Sequence, residues 1–333
     1  MSLSLYTNDD KSLNKGRVEY IDVAKGIAII CVMVSHMWWG GLVHKILFSF
    51  EIPFFFFISG YFLSEKKTCK EIAWKRFRQL MLPLICMAVL IFIWRCYCLW
   101  VVDDWTLNSI VGCAKGIMKA NSNPSISVGP LWFLPALWFV TIVVRSFLCS
   151  EYAFLFVCLV SVAGVLSRSV IEIPLSIQNG LACSVYFYLG YLCRKYNMLE
   201  RAVFQDFFWI LFLCAFWIYG VLNYHVGSSV PQSLQLAITA ISAIPVFVKV
   251  AQLCSSLGGI KTVLSWVGRG SLIILCIHAL DETTGLCTHM QGYIWGDQIR
   301  SLGNWFPYLR ILLTISLYAV IEKGWNYIRL RVC

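Results

Sequence analysis

Lys25 and His36 stand eleven residues apart in the stretch RVEYIDVAKGIAIICVMVSH, residues 17–36. At about 100° per residue this spacing makes three helical turns plus roughly 20°. The two side chains therefore share a helix face, about 16 Å apart along the axis. A fixed cation at one end of a helix and a titratable base towards the other is an arrangement for chemistry that reaches across a membrane. The bland alternative is a lysine snorkelling to the surface and a histidine at a polar boundary.

Other residues of useful chemistry stand along the chain. Glu51 follows the first apolar stretch after a short turn, so it can approach His36 from a neighbouring antiparallel helix. A carboxylate there would orient the imidazole and select its tautomer, which a general base needs. The alternative is a glutamate solvated at headgroup level. His278 lies in the middle of a later apolar stretch, either as a structural hydrogen-bonding group or as part of the pathway. The basic run 66–78 includes Lys75, Arg76 and Arg78. It fits contact with anionic lipid, or docking of a phosphorylated donor such as a coenzyme A. Ser59-Gly60-Tyr61 interrupts a phenylalanine-rich stretch with small residues, which suits tight helix packing or a small polar wall position. Trp132 is an interfacial anchor or a surface on which a sugar stacks.

The elements that must position these residues are membrane helices. Hydrophobic residues make up 59% of the 333 and charged ones only 13%, with a mean hydropathy of +0.73. That balance excludes an ordinary soluble domain and indicates an all-α polytopic membrane protein. Apolar stretches of about 20–39, 46–63, 81–102, 130–148, 152–166, 180–193, 207–222, 234–253, 272–286 and 307–321 predict ten spans. Residues 103–128 read as a polar loop. The first stretch is followed by no small-residue cleavage site, so it reads as a retained span.

Lys and Arg concentrate in the N-terminal segment, 64–80, 194–201, 254–270 and the C-terminal segment, which places both termini in the cytoplasm. The expected organisation is a cytoplasmic tail at 1–19, one transmembrane domain at 20–326 and a short tail at 327–333. Internal repeats are not evident. The net charge of +10 sits mostly in cytoplasmic loops and is no signal for nucleic acid. The fifteen cysteines are scattered, without a Cys/His cluster of metal-binding spacing. Reduced thiols and no metal are the expectation.

Several motifs together resemble the acyltransferase family 3 membrane proteins, nearest their fucose 4-O-acetylase-like branch. YIDVAKGIAIICVMVSH (20–36) resembles the family's first helix, where a cation and a histidine are separated by ten residues. FEIPFFFFISGYF (50–62) resembles the second helix, and RQLMLP (78–83) the start of the third. GPLWFL (129–134) and SLIILCIH (271–278) match later landmarks. Lys25 stands where the family more often has arginine, and Glu51 where this branch often has histidine. Lys75-x-x-Arg78 keeps only the spacing of the family's Arg-x-x-Arg.

The resemblance implies a multi-pass O-acyltransferase of the bacterial inner membrane. Its donor would be cytoplasmic acyl-CoA, usually acetyl-CoA. Its acceptor would be a sugar hydroxyl of a surface glycan or of a lipid-linked precursor. Lys25, Lys75, Arg76 and Arg78 would hold the coenzyme and His36 would be the base; the place of Glu51 beside it is inferred from the residues and not carried over from the family. Ser59, Trp132 and His278 would line the acceptor site. The rival readings are a transporter or flippase of lipid-linked sugar, which calls for repeats and broken helices not evident in the sequence, and a sensor or scaffold.

Overall fold

The computed structural model describes residues 19–37, 41–168, 170–201, 206–223, 230–285 and 306–332. Most of the expected N-terminal tail and the loop after residue 285, which carries His289 and Asp297, lie outside them, whereas the expected C-terminal tail at 327–333 continues the last helix as far as Val332. The described residues are helical, joined by turns, with no strand among them.

Helix α1, Glu19–Met37, is the axis of the bundle. Its acidic residues Glu19 and Asp22 stand in the first turn and His36 in the last, each sign matching the helix dipole. Ile21, Val23, Ala24, Ala28, Ile29, Val32 and Met33 are buried, so core packing surrounds much of its circumference.

After α1 come α2 (Gly41–Phe48), α3 (Glu51–Tyr61) and α4 (Cys69–Arg76). Thr68 caps α4 in a reciprocal capping box with Glu71. A π turn, Phe77–Met81, then leads into α5, Leu82–Val101. Pro83 lacks an N–H, and the Leu82 N–H donates to the Phe77 carbonyl, widening the helix there. Arg76 ends α4 and Arg78 stands two positions on, inside this turn, so the two side chains leave on different faces. The outer face of α5 exposes Ile85, Val89, Leu90, Ile93, Tyr97 and Trp100, a long apolar surface suited to lipid contact.

Residues 103–128, expected as loop, contain an amphipathic helix, α6 (Leu107–Lys119), capped by Thr106 through the Ser109 N–H. Its apolar residues alternate with polar ones, which obscures a buried stripe in a segment that opens on two aspartates. A 3₁₀ turn at Gly129–Trp132 leads into α7, Phe133–Phe147, followed by α8, Ala153–Ser167. The remaining helices are α9 (Ile177–Ala182), α10 (Ser184–Lys195), α11 (Phe207–Asn223), α12 (Val230–Ser255), α13 (Gly258–Arg269), α14 (Ser271–Thr284) and α15 (Phe306–Val332).

Two backbone contacts lock the bundle. A Cβ on Gly26 would lie 2.0 Å from the Leu264 carbonyl oxygen, and one on Gly268 would lie 1.8 Å from that of Asp22. Helices α1 and α13 therefore touch main chain to main chain, as small residues allow. Gly60 and Gly190 join α3 to α10 in the same way: an added Cβ on either would lie 1.8 Å from a carbonyl oxygen of the other helix.

Among the described residues, four helical stretches are long and apolar enough to cross a membrane: Gly41–Tyr61, Cys69–Val101, Gly129–Phe147 and Gln235–Ser255. Helices α13 and α14 make a fifth if counted as one span bent by 68°. Ten stretches were expected; two shorter apolar helices among the described residues, α8 and α11, fall below a full span. The bent pair is also a broken helix that the sequence does not announce. Its corner is filled by Tyr318 of α15, which is 1% exposed and leaves no room for a side chain at Gly270.

Candidate active site

The site is a cavity of about 680 Å³ whose wall includes Lys25, His36, Glu51, Ser59, Arg76 and Trp132. Six of the nine residues singled out in the sequence thus face one space. Helix periodicity supplies Lys25 and His36 from α1, three turns apart. The start of α3 supplies Glu51, and its last turns supply Ser59 beside the tightly packed Gly60.

The Lys25 end is cationic. Lys25 Nζ lies 3.2 Å from Asp22 Oδ1 and 6.0 Å from the centre of the Phe62 ring. Arg76 reaches the wall from α4, and no carboxylate among the described residues pairs with it. The other two basic residues of that run point elsewhere. Lys75 is exposed off the wall. Arg78 is exposed and stands 5.8 Å from the Trp74 ring.

At the other end, the carboxylate that meets His36 is Glu282 and not Glu51. His36 Nδ1 lies 3.2 Å from Glu282 Oε1. An ionised carboxylate only accepts, so Nδ1 carries the proton and Nε2 keeps its lone pair. Glu51 instead accepts from the Ser35 hydroxyl, Oγ to Oε1 at 2.9 Å. It is 1% exposed, and its Oε2 finds no partner among the described residues. The Ser35 carbonyl in turn lies 3.1 Å from His44 Nδ1, and His44 also lines the cavity.

His278 does not line the cavity. It packs edge-on against His36, ring centres 5.5 Å apart, and its Nε2 is 3.8 Å from Glu282 Oε2. His278 and Glu282 are four residues apart on α14 and so share a face. The next residue on that helix, Asp281, accepts from both Arg310 Nε and Nη2, at 2.8 and 2.5 Å, which fastens α14 to α15.

Sequence reasoning missed Glu282, Ser35 and His44. The first had a signal: Asp281 and Glu282 are adjacent acids in an apolar stretch, where ionisable residues mark function. Chemically, the arrangement offers an oriented base at one end of a cavity, and two cations on its wall, Lys25 paired with Asp22 and Arg76 without a carboxylate partner among the described residues. It can hold an anionic ligand along the wall and take a proton from a hydroxyl brought to His36.

Comparison with known families finds an acyltransferase domain model matching residues 18–321. No curated protein and no solved structure matches the chain.

Proposed function

The chain belongs to this acyltransferase family, whose domain covers residues 18–321, and on that premise we propose that it is a membrane O-acyltransferase carrying an acetyl group from acetyl-CoA to a sugar hydroxyl. The acceptor is a cell-surface polysaccharide or its lipid-linked precursor. The bacterial inner membrane is the setting, with ten spans and both termini in the cytoplasm. The observation that carries the reading is the single cavity joining Lys25 and Arg76 to His36.

The coenzyme's phosphates lie at Lys25 and Arg76, where arginine and lysine suit diphosphate and 3′-phosphate groups. The pantetheine arm follows the cavity towards His36. His36 Nε2 takes the proton of the acceptor hydroxyl as its oxygen attacks the thioester carbonyl. Glu282 holds the other ring nitrogen and favours the imidazolium that forms. The tetrahedral intermediate collapses with cleavage of the C–S bond. The imidazolium returns the proton to the departing thiolate, giving the acetyl ester and free coenzyme A. Glu51, Ser59 and Trp132, which line the cavity, supply polar and stacking contacts to the acceptor.

The test uses purified protein with acetyl-CoA and a panel of glycan acceptors, following free thiol and the mass of the acceptor. Acetylated product from the parent, and none from His36→Ala protein that accumulates normally, is the expected result. Undiminished acetylation by His36→Ala would refute the assigned base. Transport of lipid-linked sugar across liposomes without any acyl transfer would put a flippase in its place.

A further inference from the structure

We propose that His36, His278 and Glu282 form a binding site for a divalent transition-metal ion of zinc's ligand preference. One donor atom from each lies within 4.8 Å of the others. Two imidazoles and one carboxylate are a zinc donor set. The spacing of the motifs alone gave no reason to expect a metal, because the ligands come from helices at opposite ends of the chain.

A second observation points to a ligand. His278 is 1% exposed, yet neither of its ring nitrogens has a hydrogen-bond partner among the described residues. Glu282 Oε2 is likewise buried and unpartnered. Buried polar atoms without partners are uncommon and costly. Here three of them, His278 Nδ1 and Nε2 with Glu282 Oε2, occur within one cluster. A cation coordinated by His278 Nε2 and Glu282 would satisfy two of the three.

The separations suit such an ion. Zinc–nitrogen and zinc–oxygen bonds of about 2.0–2.2 Å at tetrahedral angles put neighbouring donors roughly 3.3–3.5 Å apart. Glu282 Oε1 to His36 Nδ1 is 3.2 Å, and Glu282 Oε2 to His278 Nε2 is 3.8 Å. Rotation of His278, which no hydrogen bond restrains, closes the remaining gap. His36 stands on the cavity wall, so a fourth position is open to water or a small anion. Arg310 of α15 carries the nearby positive charge, but it is held by Asp281, which neighbours Glu282 on α14.

The ion has a consequence for chemistry, and this clause rests on His36 being the base. Coordination takes the Nδ1 lone pair, so the single proton of the neutral ring resides on Nε2. The ring then has no lone pair left to accept a proton. Bound zinc and general-base catalysis by His36 exclude one another, and zinc is an inhibitor.

The experiment strips the detergent-purified protein with EDTA and titrates it with cobalt(II), followed by visible absorption. One cobalt per chain with the strong bands of tetrahedral coordination, displaced by zinc, is expected. His278→Gln and Glu282→Gln should each weaken binding at least tenfold. X-ray absorption on the zinc-loaded parent needs no variant and should give nitrogen and oxygen neighbours only. Sulfur in the coordination shell would assign the ion to cysteines and overturn the site, as would unchanged binding in both variants. Acetyl transfer is measured in the same preparation. Tight binding at these ligands without loss of transfer would leave the metal site standing and sink the base role of His36. Absence of binding, with transfer still lost in His36→Ala, would do the reverse.

Discussion

His36 Nδ1 and Glu282 Oε1 meet at 3.2 Å although 246 positions separate them in the chain. The contact fixes one imidazole tautomer and leaves the other nitrogen free to accept a proton. It also ties α1 to α14, so the orientation of the base depends on how two distant helices dock.

Glu282→Gln should therefore lower kcat for acyl transfer by on the order of 10²-fold, within the range that a positioned base contributes. The KM for acetyl-CoA should stay within about twofold, because Glu282 lies away from the cationic end. Steady-state kinetics on both substrates would decide it. A rise in KM with kcat unchanged would mean that Glu282 serves binding and not the base.

Arg76 and its two basic neighbours separate into different roles on geometric grounds. Arg76→Gln should raise the KM for acetyl-CoA about tenfold or more, since a charge-assisted hydrogen bond contributes about 1.5–3 kcal/mol. Lys75→Gln and Arg78→Gln should change it little. Thermal-shift measurements give an independent check, because a ligand of the folded state raises apparent stability. Stabilisation by acetyl-CoA should exceed that by its dephospho form in the parent. Retention of that difference in Arg76→Gln would place the 3′-phosphate elsewhere.

The two kinds of glycine should respond oppositely to alanine. At Gly268 the added Cβ would sit 1.8 Å from a backbone oxygen of α1. Neither helix can yield without shifting the other, so a loss of about 1–3 kcal/mol or more is expected. At Gly112, inside α6, a Cβ would meet nothing within 4 Å. Gly112→Ala should hold or raise stability by up to about 1 kcal/mol. Unfolding midpoints in detergent would distinguish them, and equal midpoints would show that the α1–α13 crossing is not the lock described.

What could be read from the chain divides along physical lines. Lys25 and His36 were legible because one helix repeats its faces every 3.6 residues, and this rule needs no tertiary information. The apolar stretches likewise announce helices. Glu282 was not legible as the partner of His36, because no local pattern encodes which distant helix docks beside α1. Glu51 looked better placed, being next along the chain, yet Ser35 intercepts it one residue before the histidine. At the end of the basic run Arg76 lines the cavity and Arg78 does not; two residues apart on a helix they cannot share a face, but the sequence does not say which of them faces inward. At the bend between α13 and α14, Tyr318 of α15 occupies the space a side chain at Gly270 would need, a contact between distant segments that no local pattern encodes.

The Asp281–Arg310 pair gives a test of how the site is braced. Asp281 is 1% exposed, and both donors of Arg310 converge on one of its oxygens. Taking away one member leaves the other charge buried and uncompensated, at a cost of about 3–5 kcal/mol. Asp281→Leu and Arg310→Met alone should each lower the unfolding midpoint strongly and abolish transfer, because α14 also carries His278 and Glu282. The double variant replaces the pair with apolar volume, which is often close to neutral. It should recover most of the stability, and transfer with it if the pair only braces α14. Recovered stability without recovered transfer would instead give Arg310 or Asp281 a direct part in the chemistry beside His36.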